Sequence, residues 1–142
     1  MADHEPILDH SGAEVLTPDE CWALLGQATV GRVAFVHDGD VVIFPVNLGV
    51  WHHSIVFRTQ PGSKLDAAVM SAHVSIEVDG VDEGAHEGWS VLARGTAGTV
   101  EDEATTEQLD GLGVEPWIRP DAPRTWVRLL PDEVTGRRVP RT

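Results

Sequence analysis

Val30-Gly31-Arg32-Val33-Ala34-Phe35-Val36, His37-Asp38-Gly39-Asp40 and Val41-Val42-Ile43-Phe44-Pro45-Val46-Asn47 set two β-branched runs on either side of an Asp-Gly pair. Asp-Gly tolerates the positive φ values that a tight antiparallel hairpin needs, so these residues predict two neighbouring strands. Pro45 lacks an N–H to give to a ladder, which predicts an edge or a bulge at that point of the second strand. Irregular backbone there leaves amides and carbonyls open to a flat polar ligand.

The same reading extends downstream. After Trp51-His52-His53-Ser54, the run Ile55 to Thr59 reads as a third strand, ended by Gln60-Pro61-Gly62. Ser63 to Met70 reads as a short helix with Leu65, Ala68 and Val69 on one face. Val74 to Asp79 alternates as a half-buried fourth strand, and Gly80 to Gly88 is an acidic loop. Trp89 to Val100 is a long fifth strand broken by Gly95 and Gly98, a placement that lets a sheet bend into a barrel. Glu101 to Leu112 is polar with Leu109 as its anchor, which predicts a surface helix, and Pro116 to Pro123 is a proline-rich loop. Thr125 to Leu130 is a sixth strand, and Pro131 to Gly136 is expected to turn out of it into a basic tail, Arg137 to Arg141.

Upstream, Thr17-Pro18-Asp19-Glu20 combines an N-cap hydroxyl, a proline at the first helical position and a glutamate three residues after the cap. Cys21, Leu24 and Leu25 follow at helical spacing, and the helix is expected to end near Gly26 to Ala28. Residues 1–16 form an acidic arm, and residues 17–142 a single domain. Six strands in mostly hairpin order with a few short helices predict an antiparallel barrel.

The composition narrows the chemistry. A chain of 142 residues is the size of one domain, and 42% apolar with 23% charged residues is ordinary for a globular protein. Ten Lys and Arg against 23 Asp and Glu leave a net charge of −13, which repels phosphate backbones and anionic membranes at long range. Nucleic acid and membrane partners are therefore not expected. Cys21 is the only cysteine, so no internal disulfide forms, and the N-terminus has no basic start or apolar stretch of signal type. These features predict a cytoplasmic protein.

Ile55 to Leu65 carries the densest chemistry. Arg58 offers a bidentate fork, Thr59 and Ser63 offer hydroxyls, Lys64 offers a point charge, and the turn offers free amides, all donors that suit a phosphate. The alternative is that Arg58 and Lys64 are surface cations and Ser63 an N-cap. Neither a Walker loop nor a G-x-S-x-G elbow is present. His52 and His53 are adjacent, and in an extended segment they point to opposite faces, which is poor geometry for one metal ion. No metal site is expected. Cys21 falls in the apolar pattern of a helix and reads as a buried thiol, and tyrosine is absent. Trp89 and Trp126, near strand starts, suit either a planar ligand or plain packing.

Taken in order, Glu20-Cys21-Trp22 to Leu25, Val30-Gly31-Arg32-Val33, Pro45-Val46-Asn47, Phe57-Arg58-Thr59 with Gly62-Ser63-Lys64-Leu65, Glu77-Val78-Asp79 and Gly88-Trp89-Ser90-Val91 with Gly95 resemble a known family. It is the pyridoxamine 5′-phosphate oxidase-like family of FMN-binding split β-barrels, and the resemblance runs from about residue 14 to residue 138. It implies a six-stranded antiparallel split barrel and a homodimer with FMN between protomers. It implies further that Arg58, Thr59, Ser63 and Lys64 hold the phosphate, that the backbone of Pro45, Val46 and Asn47 lines the isoalloxazine edge, and that Trp89 and Ser90 approach from the partner chain. Some related split barrels bind a deazaflavin or haem instead. The vitamin oxidases themselves grip pyridoxal phosphate with a tyrosine and basic residues. Lacking tyrosine, and with a different motif at Pro131 to Arg138, this chain looks closer to the actinobacterial and nitroimidazole-resistance-like branch. The expected function is that of an FMN-binding oxidoreductase acting on a small planar organic substrate. The alternatives are a deazaflavin-dependent reductase and a non-catalytic flavin or haem binding protein.

Overall fold

A computed structural model of the chain describes residues 5–70, 73–117 and 123–139, of which 68–70 by their backbone alone. Its strands are β1 (Glu14–Val15), β2 (Val30–His37), β3 (Asp40–Val50), β4 (Ile55–Thr59), β5 (Val74–Asp82), β6 (Glu87–Thr99) and β7 (Thr125–Val139). Helix α1 spans Pro18–Gln27, α2 spans Glu103–Asp110, and a 3-10 segment covers Leu65–Met70. Every pairing is antiparallel, in the order β1-β7-β4-β3-β2-β5-β6, and β7 pairs with β6 as well, which closes the sheet on itself. This is the expected split barrel.

Local chemistry accounts for the elements. The β2–β3 hairpin turns at Asp38 and Gly39, both at positive φ. Thr17 and Glu20 form the reciprocal capping box, the Glu20 N–H donating to Thr17 Oγ1 at 3.2 Å and the Thr17 N–H to Glu20 Oε1 at 3.0 Å. Pro45 faces Arg32 of β2, while β3 pairs with β4 only from Leu48 to Val50, so the proline lies where β3 has one sheet neighbour. The missing N–H costs no ladder bond there.

The structure differs from the sequence reading in strand count and in several boundaries. Seven strands stand among the described residues rather than six, because Glu14 and Val15 of the arm pair with Arg138 and Arg137. The tail does not turn away at Pro131. Instead β7 continues to Val139 through a bulge: Gly95 faces Pro131 and Arg94 faces Glu133, leaving Asp132 as the extra residue. The acidic loop shrinks to a turn at 83–86, since β5 runs to Asp82 and β6 begins at Glu87. The short helix read over Ser63 to Met70 is a 3-10 segment that begins at Leu65. Ala68 and Val69 side chains, and the tail residues Pro140 and Arg141, lie outside the described residues.

Two apolar clusters fill the fold. The barrel interior holds Val33, Phe35, Val46, Leu48, Ile55, Phe57, Val74, Ile76, Val78, Val91, Val127 and Leu129, with Cys21 and Leu25 of α1 packed against them. Outside β4 and β7, Val56 and Trp126 are covered by Leu109 of α2, fully buried. Burying that one leucine stabilises the docked helix by roughly 1.5–3 kcal/mol.

The β6–β7 bulge leaves no room at Gly95. A Cβ there would collide with the Leu130 carbonyl oxygen and lie 2.8 Å from Pro131 Cα. Gly95→Ala is expected to lower the unfolding free energy by about 1–3 kcal/mol, the usual cost of overpacking, in urea denaturation of the parent and the variant.

Candidate functional site

Where β3 has only one neighbour, its Pro45, Val46 and Asn47 form one wall of a cavity of about 250 Å³. Arg58 and Gln60 at the end of β4, and Ser63 and Leu65 beyond the turn, form the second wall. Val114, Pro116, Trp117 and Arg124 close it from the segments after α2 and before β7. Five of the nine residues expected at a ligand site thus line one cavity: Pro45, Val46, Asn47, Arg58 and Ser63. Among the described lining residues two are arginines and none is a carboxylate, in a chain of net charge −13.

Arg58 is held from behind. Its Nη2 donates to Asp110 Oδ1 at 2.6 Å, and its guanidinium lies 4.3 Å from the centroid of the Trp126 ring. Trp126, 3% exposed, donates its indole N–H to the same Asp110 oxygen at 2.7 Å. One carboxylate at the end of α2 therefore satisfies a buried indole and orients the arginine, whose fork has further N–H donors. Trp126 is a packing residue of the second cluster.

The turn after β4 is organised by Asp66. Its carboxylate accepts from the buried Thr59 hydroxyl at 3.1 Å and from the Gly62 amide at 3.2 Å, while the Asp66 amide donates to Ser63 Oγ at 3.2 Å. Thr59 thus faces inward to Asp66, and Ser63 acts as a cap while also lining the cavity. Lys64 is exposed beside the cavity lining and is not part of it. Trp89 and Ser90 stand on β6, with β2 and β5 between them and β3, and Trp89 lies against Gly80; neither lines this cavity.

A second cavity, of about 440 Å³, adjoins the first and shares Asn47, Val114 and Trp117 with it. Asn47 is fixed between them: its Oδ1 accepts from the Trp117 N–H at 3.0 Å and its Nδ2 donates to the Thr29 carbonyl at 3.4 Å. The segment carrying Trp117 approaches β3 closely, because a Cβ at Gly49 would lie 2.6 Å from Val114 Cγ2. Gln60, Val114, Trp117, Arg124 and Asp110 were not legible as site residues. They come from separate parts of the chain, and the one hint was an unassigned tryptophan in a proline-rich loop.

The histidine pair is also placed differently from its reading. His52 and His53 are not extended but form the β3–β4 turn, both at positive φ, with rings against Trp51 and Trp22 respectively. Among the described residues no group of three or more His, Cys, Asp and Glu is arranged to hold a metal ion, and no helix is long and apolar enough to cross a membrane. Burial pushes the Cys21 thiol up, away from thiolate reactivity.

The pyridoxamine 5′-phosphate oxidase family model matches residues 17–138. An uncharacterised protein of Mycobacterium tuberculosis is 33% identical over 129 residues, covering 87% of this chain and 84% of its own length. Among solved structures, the FAD binding protein from Mycobacterium smegmatis is 38% identical with a TM-score of 0.74, covering 87% of this chain and 96% of its own. A conserved protein of unknown function from Corynebacterium diphtheriae is 31% identical with a TM-score of 0.72, covering 88% and 96%. The chain belongs to the pyridoxamine 5′-phosphate oxidase family.

Beside Pro45 on the outer face, Arg32 bridges Glu77 at 3.3 Å and Asp79 at 3.1 Å. Burial, with Asp79 alongside, outweighs Arg32 and pushes the Glu77 carboxyl up to about 7 from its ordinary 4.5. The folded chain thus keeps a proton that the unfolded chain releases near pH 4.5, so this group's stabilisation is lost as pH rises towards 7. Relative to Glu77→Gln, the parent is expected to lose stability progressively across that window and to show a constant difference above it. Urea midpoints of both proteins at a series of pH values measure this.

Proposed function

We propose that this chain binds a flavin nucleotide in the arginine-lined cavity and works as an oxidoreductase on a small planar organic molecule. The observation that carries the reading is the pairing of two arginines with the irregular Pro45–Asn47 backbone in one cavity of an otherwise strongly acidic chain. The donor set suits a phosphate: Arg58 supplies a fork already oriented by Asp110 and Trp126, Ser63 a hydroxyl, and Lys64 a flexible charge at the rim. Thr59 contributes indirectly, by holding Asp66 and with it the turn. Pro45, Val46 and Asn47 line the edge of the ring system. The flavin in this proposal is FMN, with a deazaflavin or haem as alternatives. FAD is the second reading, because the 38% identical Mycobacterium smegmatis protein is an FAD binding protein. Mass spectrometry of the ligand released on denaturation distinguishes them.

A bound flavin supplies hydride and electron transfer. The chain's own work is to anchor the phosphate, orient the ring and limit water. Among the described residues no Asp, Glu, His or Cys lines the cavity, and Cys21 is buried in the core, so proton transfer by a positioned side chain is not part of the proposal. The cavity of about 250 Å³ falls below the roughly 300–1,000 Å³ typical of small-molecule sites, which supports a second protomer completing it. Trp89 and Ser90 are the residues we assign to that contribution. Val36, Val41 and Ile43, on the outer face of the β2–β3 hairpin, are 60%, 73% and 60% exposed and suit an apolar dimer interface.

Lys64→Ala, in an exposed side chain outside the core, is expected to weaken FMN by roughly ten- to a hundredfold, given about 1.5–3 kcal/mol for a charge-assisted hydrogen bond. Riboflavin, which lacks the phosphate, is expected to be indifferent; equal losses for both ligands in fluorescence titrations would refute the phosphate assignment. Sedimentation is expected to give about twice 15.4 kDa. A monomer that retains flavin at nanomolar concentration would contradict the shared site.

A further inference from the structure

The two adjoining cavities differ in electrostatic character. The first has Arg58 and Arg124 and, among the described residues, no acid in its lining. The second, lined among the described residues by Gly26 to Thr29, Asn47 to Val50, Leu112 to Glu115 and Trp117, has Glu115 and no cation among them. Gly26 to Ala28 of this lining form the C-terminus of α1, where the Leu25 carbonyl accepts from the Ala28 N–H and the carbonyls beyond it carry the negative end of the helix dipole. No basic residue stands in that last turn to offset it. Leu48, Val50, Leu112 and Val114 give the walls apolar surface, and Trp117, 75% exposed, stands between the two cavities with its backbone tied to Asn47.

We infer that the second cavity is a binding site for a flat organic cation, an N-alkylated aromatic ring. An indole face, a carboxylate and a row of carbonyls each favour a positive charge, and a delocalised ring cation carries little hydration to lose on entering an apolar cleft. Among the described residues an anion finds no cation in the lining of this cavity and is repelled by Glu115, by the helix terminus and by a chain of net charge −13. The volume of about 440 Å³ is within the usual range for a small-molecule site and accommodates two fused rings. The shared wall of Asn47, Val114 and Trp117 sets such a ring next to the arginine-lined cavity. The inference deepens the proposed function by naming the charge class of its substrate. It rests on that reading for the word substrate alone, since binding of the cation does not require a flavin.

The test is calorimetric titration of the purified protein, as isolated, with N-methylquinolinium and with naphthalene-1-carboxylate, alongside FMN titration of the same samples. The cation is expected to bind at least about tenfold more tightly than the carboxylate. Glu115→Gln, an exposed substitution, is expected to weaken the cation about three- to tenfold and leave FMN unchanged; Trp117→Ala is expected to weaken the cation by a similar factor. Failure of the cation to bind, equal affinity for the two probes, or unchanged cation affinity in Glu115→Gln overturns the inference. Cation preference intact with no FMN binding would refute the flavin reading alone, and FMN binding without cation preference would refute this inference alone.

Discussion

Closure of the sheet by β7 against β6 is the constraint on which the other elements depend. β7 is the one strand that pairs with β1, β4 and β6, so it ties the arm, the β4 turn and the long fifth strand of the sequence reading into one ring. A strand of 15 residues cannot serve all three partners while straight. It bends at Pro131, where the register against β6 shifts and the side-chainless Gly95 lets the Leu130 carbonyl approach. The first half of β7 then lies beside β4 with Trp126 turned outward to the second cluster, and the second half reaches Glu14 and Val15.

From that placement the site follows. Trp126 sits opposite Arg58 in the β4–β7 register, so the indole lies under the guanidinium, and Asp110 at the end of α2 accepts from both. A helix docked through Leu109 thereby fixes a side chain on the outer face of β4 that it covers. Leaving the buried indole N–H without that carboxylate would cost about 1–3 kcal/mol, so Asp110 couples stability to the geometry of the arginine. Beyond α2 the chain crosses back over Gly49 and hands its Trp117 amide to Asn47, at the wall shared by the cavity lined by Arg58 and Arg124 and the one lined by Glu115. The proposed phosphate anchor and the inferred cation site are thereby neighbours across three shared residues.

The sequence by itself determined the local elements and the family. Asp38-Gly39 fixed the hairpin, Thr17 to Glu20 the start of α1, and Leu109 the anchor of α2, because turn φ values, caps and single apolar anchors are properties of a few neighbouring residues. It also brought forward Pro45, Val46, Asn47, Arg58 and Ser63, which line one cavity since the first four lie on adjacent strands and Ser63 follows the turn after the second of these. Only the tertiary structure decided the rest. That Pro131 bends β7 instead of ending it depends on Gly95, far away in the chain, and no local signal tells a strand stop from a bulge. Thr59 and Ser63 look alike as hydroxyl donors in the sequence, yet burial turns one to Asp66 and leaves the other at the cavity. Asp110 and Arg58 are 52 residues apart, and Trp117 and Asn47 are 70, so their meeting is set by how helix and strands pack and not by any spacing along the chain.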